Sequence, residues 1–238
     1  MSFSEELQVD LTNASILRSA FFNYFYRIFN GIQTEEFLGV SSKYLSYFKD
    51  LKEYIEDEEY NNACNLFEKY VENEKNLTNK EDFLQRLNIE FTALFLSGMG
   101  NVPASASSYL SSDGLLKGEE WQKVKAIYKT RDFQMPENIK SPEDYISVEM
   151  LYMQKLSDLT GKLVDDKDYN LTLATIEDQI EFAEKHILVW IDLFSNAVYE
   201  KASTLNSSLY ASVAIIMKHY VKYDTELMKE FYDELKNK

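Results

Sequence analysis

The stretch IEDQIEFAEKHILVWIDLFSNAV, residues 176–198, sets Ile176, Ile180, Ala183, Ile187, Trp190, Ile191, Phe194 and Val198 along one helical face with charged residues between them. Read as it stands, the period predicts one helix of about seven turns from 174 to 200. The same spacing recurs at Leu17, Phe21, Tyr24, Phe25 and Ile28, and again at Leu84, Leu87, Phe91, Leu94 and Phe95. No alternating run competes with it. The expected fold is therefore all-α, a multi-helix bundle-like domain of about nine or ten helices. They are expected near 12–30, 41–55, 58–74, 80–96, 119–131, 142–159, 174–200, 204–221 and 224–236, with a short turn at 35–38.

Start and stop signals support these bounds. Asn79 precedes Lys80, Glu81 and Asp82, Thr172 precedes the long helix, and Ser141-Pro142-Glu143-Asp144 offers a capping hydroxyl, a proline for the first helical position and a carboxylate after it. Gly31, Gly39 and Gly161 stand where helices are expected to stop. Seven of the ten glycines and prolines (Gly98, Gly100, Pro103, Gly114, Gly118, Pro136 and Pro142) fall in one central window. Within it, residues 97–118 crowd Ser105, Ser107, Ser108, Ser111 and Ser112 into a long loop, which compact domains rarely keep without a use as hinge, lid or binding loop. The 238 residues admit one large domain or two small ones, and a single domain over 1–238 is expected.

Composition excludes several classes. Cys64 is the only cysteine, so no intrachain disulfide or multi-cysteine metal site forms. The N-terminus is acidic, with no basic and apolar signal pattern, and no window holds 18 uninterrupted apolar residues. These features lead to the expectation of a cytoplasmic protein without membrane insertion. A formal charge of −15 repels phosphate backbones and anionic lipid and suits cationic peptide partners, although acidic surface by itself keeps proteins soluble. His186 and His219 are the only histidines, and neither sits in a metal-binding HExxH pattern. Gly98-Met99-Gly100 lacks the Lys-Ser/Thr of a phosphate loop, and no serine lies in a nucleophile elbow. Thus no catalytic residue, metal site or cofactor is expected. What remains is an aromatic content of 17 Tyr and 15 Phe, mostly core, some of it available to anchor a basic, apolar peptide helix.

Glu90-Phe91-Thr92-Ala93-Leu94-Phe95 resembles the Glu-Tyr-x-x-Leu-Phe motif of the TorD/DmsD/NarJ family of redox-enzyme maturation chaperones. Ser141-Pro142-Glu143-Asp144-Tyr145, followed by Glu149 and Tyr152-Met153, resembles that family's Glu-Pro-x-Asp-His motif with its downstream Glu and Phe-Met. Between them, Ser107-Ser108-Tyr109 and Leu115-Leu116-x-Gly118-Glu119 are similar to its Ser-Val-Tyr and Leu-Leu-x-Gly-Glu. Phe182, His186, Trp190 and Phe194 resemble its Phe-x-x-x-His-x-x-x-Trp helix, and Leu209-Tyr210 its late Phe-Tyr pair. Order and spacing agree over most of the chain. Tyr145 stands where the family has His, Ser141 where it has Glu, and Ala104-Ser105-Ala106 where it often has Pro-Trp-Glu.

The resemblance implies an all-helical cytoplasmic chaperone and not an enzyme. Its partner would be the catalytic subunit of a molybdopterin oxidoreductase, usually met at its twin-arginine leader and held until cofactor insertion and export. Tyr109, Asp144, Tyr145 and Glu149 are the expected client-binding residues. Glu90, Phe91, Leu94, Phe95, Pro142, His186 and Trp190 are expected to be structural, His186 packing against Trp190 one turn away. Asp144 admits two readings, a first-turn carboxylate serving the helix or a contact to client arginine. Under the second, Asp144→Asn weakens peptide binding and leaves the melting temperature alone. Two other classes of function stay open at this level: a helical enzyme or nucleotide-dependent factor with an unrecognised site, and an adaptor forming homodimers by exchanging helices across 97–118.

Overall fold

The structure, a computed structural model, describes residues 3–96, 98, 100–111 and 116–237. Its helices are α1 (Glu5–Phe29), α2 (Val40–Asp50), α3 (Glu58–Lys75), α4 (Lys80–Phe91), α5 (Ser107–Leu110), α6 (Glu119–Thr130), α7 (Ile146–Asp165), α8 (Tyr169–Phe182), α9 (Ile191–Thr204) and α10 (Ser208–Lys236). Short 3-10 turns occupy Glu35–Phe37 and Leu51–Glu53, and π turns occupy Thr92–Leu96 and Ala183–Ile187. Among the described residues no strand forms, and the only extended pairing is an antiparallel bridge between Ser105 and Tyr145. No described helix is long and apolar enough to cross a membrane.

The chain packs as two compact units, one of residues 1–30, 105–190 and 224–238, the other of 31–104 and 191–223. In the first, α1 lies along α7, and its core joins Leu7 and Leu11 to Val164, Tyr169, Ile176, Met228 and Leu235. A second centre is aromatic: Tyr152 meets Tyr128 and Phe182 at ring separations of 4.7 Å each and Phe133 at 5.1 Å. The Arg18 guanidinium, buried, donates to both Asp224 carboxylate oxygens at 2.6 and 2.9 Å and to Gln179 Oε1 at 2.6 Å. Gln179 passes its own amide hydrogens to Thr160 Oγ1 and the Thr175 carbonyl. That network ties α1, α7, α8 and the last turns of α10 by charge-assisted bonds in a dry interior.

The second unit is held by rings. Phe48 meets Phe67, Tyr70 meets Phe83, and Phe95 touches Phe91, Phe194 and Tyr210. The Tyr60 hydroxyl donates to the Phe48 carbonyl at 2.9 Å. Asp57 and Asn79 cap α3 and α4 by accepting backbone N–H groups of their first turns.

Several boundaries differ from the sequence reading, each for a local reason. The chain becomes helical at Glu5 because the Ser4 hydroxyl accepts the Leu7 amide. The expected seven-turn helix is interrupted: the Leu188 amide bonds the Ala183 carbonyl, five residues back, and α9 starts afresh at Ile191. The expected pair 204–221 and 224–236 is one helix, with Asp224 buried mid-helix against Arg18. Gly161 lies inside α7, where a Cβ would meet Ser15 Cβ at 3.3 Å, so it serves the close approach of α1 and not a helix stop. Of the serine-rich loop, Ser97, Ser112, Gly114 and Leu115 lie outside the described residues.

Candidate functional site

In the first unit, the segment before α7 does not begin the helix at Pro142 as its composition suggests. Residues 142–145 form a turn in which the Tyr145 amide donates to the Pro142 carbonyl, and helical bonding starts from the Tyr145 carbonyl, which accepts from Val148 and Glu149. The reason is Asp144. Its carboxylate, 0 % exposed, is directed away from the helix and accepts the Ser105 hydroxyl at 2.7 Å and the Ser107 amide at 2.8 Å. Its carbonyl accepts the Ala106 amide at 2.9 Å. One residue therefore fixes the loop by three bonds, and the Ser105–Tyr145 bridge extends the join.

The same anchor reaches α6. The Ser107 hydroxyl oxygen accepts the amides of Gly118 and Trp121, both at 3.2 Å, completing the otherwise open first turn of that helix. The Trp121 indole donates to Glu143, and Lys125 covers the indole face at 4.5 Å from its centroid. Tyr109, on the short α5 so positioned, is partly exposed and lies on the Trp190 indole with ring centroids 5.6 Å apart.

Beneath this surface lies a buried acidic group. Glu149 is 0 % exposed, and no donor reaches either of its oxygens in hydrogen-bond geometry among the described residues. Burial pushes its carboxyl well above the usual carboxylate range, the charges of Asp144 and Glu120 push it further, and the Trp190 indole opposes the shift weakly. Glu149 is thus held towards its protonated, neutral form. Glu120 behaves oppositely. Burial pushes its carboxyl up, but the His186 ring nitrogen Nδ1 at 2.5 Å, together with Lys123, holds it below the ordinary value. The π turn at Ala183–Ile187 delivers His186 to Glu120 while Phe182 stays in the aromatic centre.

The sequence-selected residues therefore separate into two sets. Tyr109, Asp144, Tyr145, Glu149, Pro142, His186 and Trp190 belong to the first unit, Tyr109 and Tyr145 partly exposed and Asp144 and Glu149 fully buried. Glu90, Phe91, Leu94 and Phe95 belong to the second. There Phe91, Leu94 and Phe95 are buried, and Glu90 accepts the Ser207 hydroxyl at 2.7 Å, its carboxyl raised by burial against the pull of Ser207 and Arg86. Sequence reading missed Glu120, which has no local signal because its partner is 66 positions away. A group of donors at Asp57, Glu59 and His219 in the second unit is already engaged: Asp57 caps α3 and Glu59 accepts Lys218 at 2.6 Å.

The profile of a family described as nitrate reductase delta subunit matches residues 55–196. Among curated proteins, the chaperone protein TorD of Vibrio vulnificus (strain YJ016) is 30 % identical over 152 residues, covering 62 % of this chain and 69 % of that protein. The chaperone protein TorD of Vibrio cholerae (strain M66-2) is 21 % identical over 165 residues, 69 % of this chain and 72 % of its own. That of Psychrobacter sp. (strain PRwf-1) is 27 % identical over 142 residues, 59 % and 61 % respectively. No solved structure gives a significant match.

Proposed function

We propose that this chain, which belongs to the TorD/DmsD/NarJ family of redox-enzyme maturation chaperones, holds the catalytic subunit of a molybdopterin oxidoreductase in the cytoplasm until its cofactor is inserted. The family is one of chaperones, not enzymes. The contact is made at the client's twin-arginine leader, a cationic stretch followed by an apolar one, which a chain of charge −15 attracts and an aromatic surface retains.

The observation that carries this reading is the buried Asp144 anchor. By holding Ser105 and Ser107 it fixes the segments that carry Tyr109 and Tyr145, each partly exposed, so little ordering entropy is lost when a peptide docks on them. Within the expected client-binding set, Tyr109 and Tyr145 make the contact, while Asp144 and Glu149, fully buried, set the loop beneath them. Holding without covalent chemistry suits micromolar affinity, about −8 kcal/mol, which a few aromatic anchors supply and which permits hand-off.

A tagged pull-down from anaerobically grown source cells, read by mass spectrometry, tests this. Retention of a molybdopterin-type catalytic subunit, reduced by Tyr109→Ala and Tyr145→Ala together, is the expected result. Failure to retain any such subunit where one is expressed removes the proposal.

A further inference from the structure

Beside the aromatic centre the first unit opens into a cavity of about 370 Å³, whose walls include Ile127 and Arg131 at the α6 end, Tyr152 of α7, Asp178 and Phe182 of α8, and His186. Its floor is apolar and aromatic, since Tyr152 and Phe182 are each 2 % exposed and contact one another edge to face. Two carboxylates, Asp178 and Glu181, stand three residues apart on α8 and so share its face. Each holds a cation from the chain itself, Asp178 the guanidinium of Arg131 and Glu181 the ammonium of Lys185.

We propose that this cavity is a binding site for arginine side chains of a peptide partner, and that Arg131 and Lys185 are its internal stand-ins. The proposal rests on the reading of the partner as a cationic peptide segment and gives that segment's arginines a place. Arg131 already demonstrates part of the chemistry, a guanidinium paired with a carboxylate in a cavity that Tyr152 and Phe182 also line. Its own hold is weak: the side chain is 50 % exposed and follows the last turn of α6, where Asp132 takes a positive φ of 53°. Lys185 and Glu181 are more exposed still, at 62 % and 56 %, so water and salt screen that pair.

Asp178 is different, being only 18 % exposed. Burial raises its carboxyl, and the lowering by Arg131 does not fully offset this, so the charged form of Asp178 gains from a neighbouring cation without requiring that it be Arg131. Exchange of one guanidinium for another leaves this balance nearly unchanged. The apolar area that the incoming peptide buries then decides the exchange.

The test measures fluorescence anisotropy on the full chain with a short peptide of two adjacent arginines followed by leucines, and with its twin carrying citrulline at both arginine positions. Arg131→Ala frees the site and tightens the arginine peptide about tenfold, the gain expected when an internal occupant fills a site nine-tenths of the time, while citrulline binding stays as it was. Asp178→Asn cancels that gain and weakens the wild-type interaction. Should Asp178→Asn melt early, Arg131→Gln and Glu181→Gln carry the test, the first tightening and the second weakening arginine binding. Equal arginine affinity in all variants, or weaker binding in Arg131→Ala, overturns the site; if the pull-down still retains the client subunit, the chaperone reading stands without it. Variant-sensitive arginine binding with no client subunit retained supports the site and removes the chaperone reading.

Discussion

The Asp144 carboxylate accepts the Ser107 amide at 2.8 Å, and Ser107 in turn gives its hydroxyl oxygen to the amides that open α6, so one buried acid sets the start of two helices. Asp144→Ala leaves the Ser105 hydroxyl and the Ser107 amide without their acceptor in a dry interior. A loss of about 2–3 kcal/mol is expected. A thermal melt measures it, and hydrogen exchange at the Ser107 amide localises it. Asp144→Asn, which keeps one acceptor oxygen, falls between. The other reading, a contact to client arginine, predicts binding lost at constant melting temperature; the 0 % exposure of Asp144 favours the anchor.

Glu149 gives a pH signature of definite sign. Its folded-state carboxyl titrates well above its unfolded value, so between those two values the folded chain holds a proton that the unfolded chain has released. Stability from this group is full below the ordinary carboxylate range and falls as pH rises towards the raised value, by about 1.4 kcal/mol per pH unit at most. Glu149→Gln keeps the shape, removes the titration, and is expected to flatten the fall of the melting temperature with pH above the ordinary carboxylate range. An unchanged slope would show that Glu149 does not carry it.

Glu120 predicts the mirror image. Its carboxyl is held low by His186 and Lys123 despite burial, so its contribution is present above the unfolded carboxylate range and lost as pH falls through the lowered value. His186→Phe strands a buried carboxylate and is expected to destabilise by about 2–3 kcal/mol, whereas Glu120→Gln with His186→Phe costs less than the sum of the single changes. Urea unfolding of the four proteins supplies the cycle. Additive losses would mean that the pair is not coupled.

The buried Arg18–Asp224 pair invites a similar asymmetry. Arg18→Met alone leaves Asp224 enclosed without its guanidinium, with an expected loss of about 3–5 kcal/mol, and Arg18→Met with Asp224→Leu recovers most of it. Chemical denaturation at neutral pH distinguishes the two. A single variant as stable as the double would indicate that solvent reaches Asp224.

Much of the helical layout can be read from apolar spacing, because Phe21, Tyr24, Phe25 and Ile28 or Leu87, Phe91, Leu94 and Phe95 are buried on the faces their period assigns them. The break at Ala183–Ile187 is not legible, since Ile180, Ala183 and Ile187 keep a helical period while the backbone widens. Nor is the true start of α7. Ser-Pro-Glu-Asp carries every local mark of a helix start, and only the distant Ser105 and Ser107 divert its carboxylate. At the candidate site, Tyr109, Asp144, Tyr145 and Glu149 were selected by motif, but burial, the property that sorts anchors from surface, depends on neighbours far along the chain. Glu120, Arg131 and Asp178 belong to no motif, and only the fold brings them to their partners.

The widened turn at Ala183–Ile187 has a consequence for insertions and deletions. An α-helix advances about 100° per residue, so a chain lacking one residue there would close the ordinary i, i+4 ladder and swing Trp190 by about that angle relative to Tyr109. Every side chain that names the site would still be present, and the indole under Tyr109 would be gone. The count of residues in this turn is therefore as binding a specification as their identity, and relatives that conserve the letters but not the spacing would share the composition of the site without its shape.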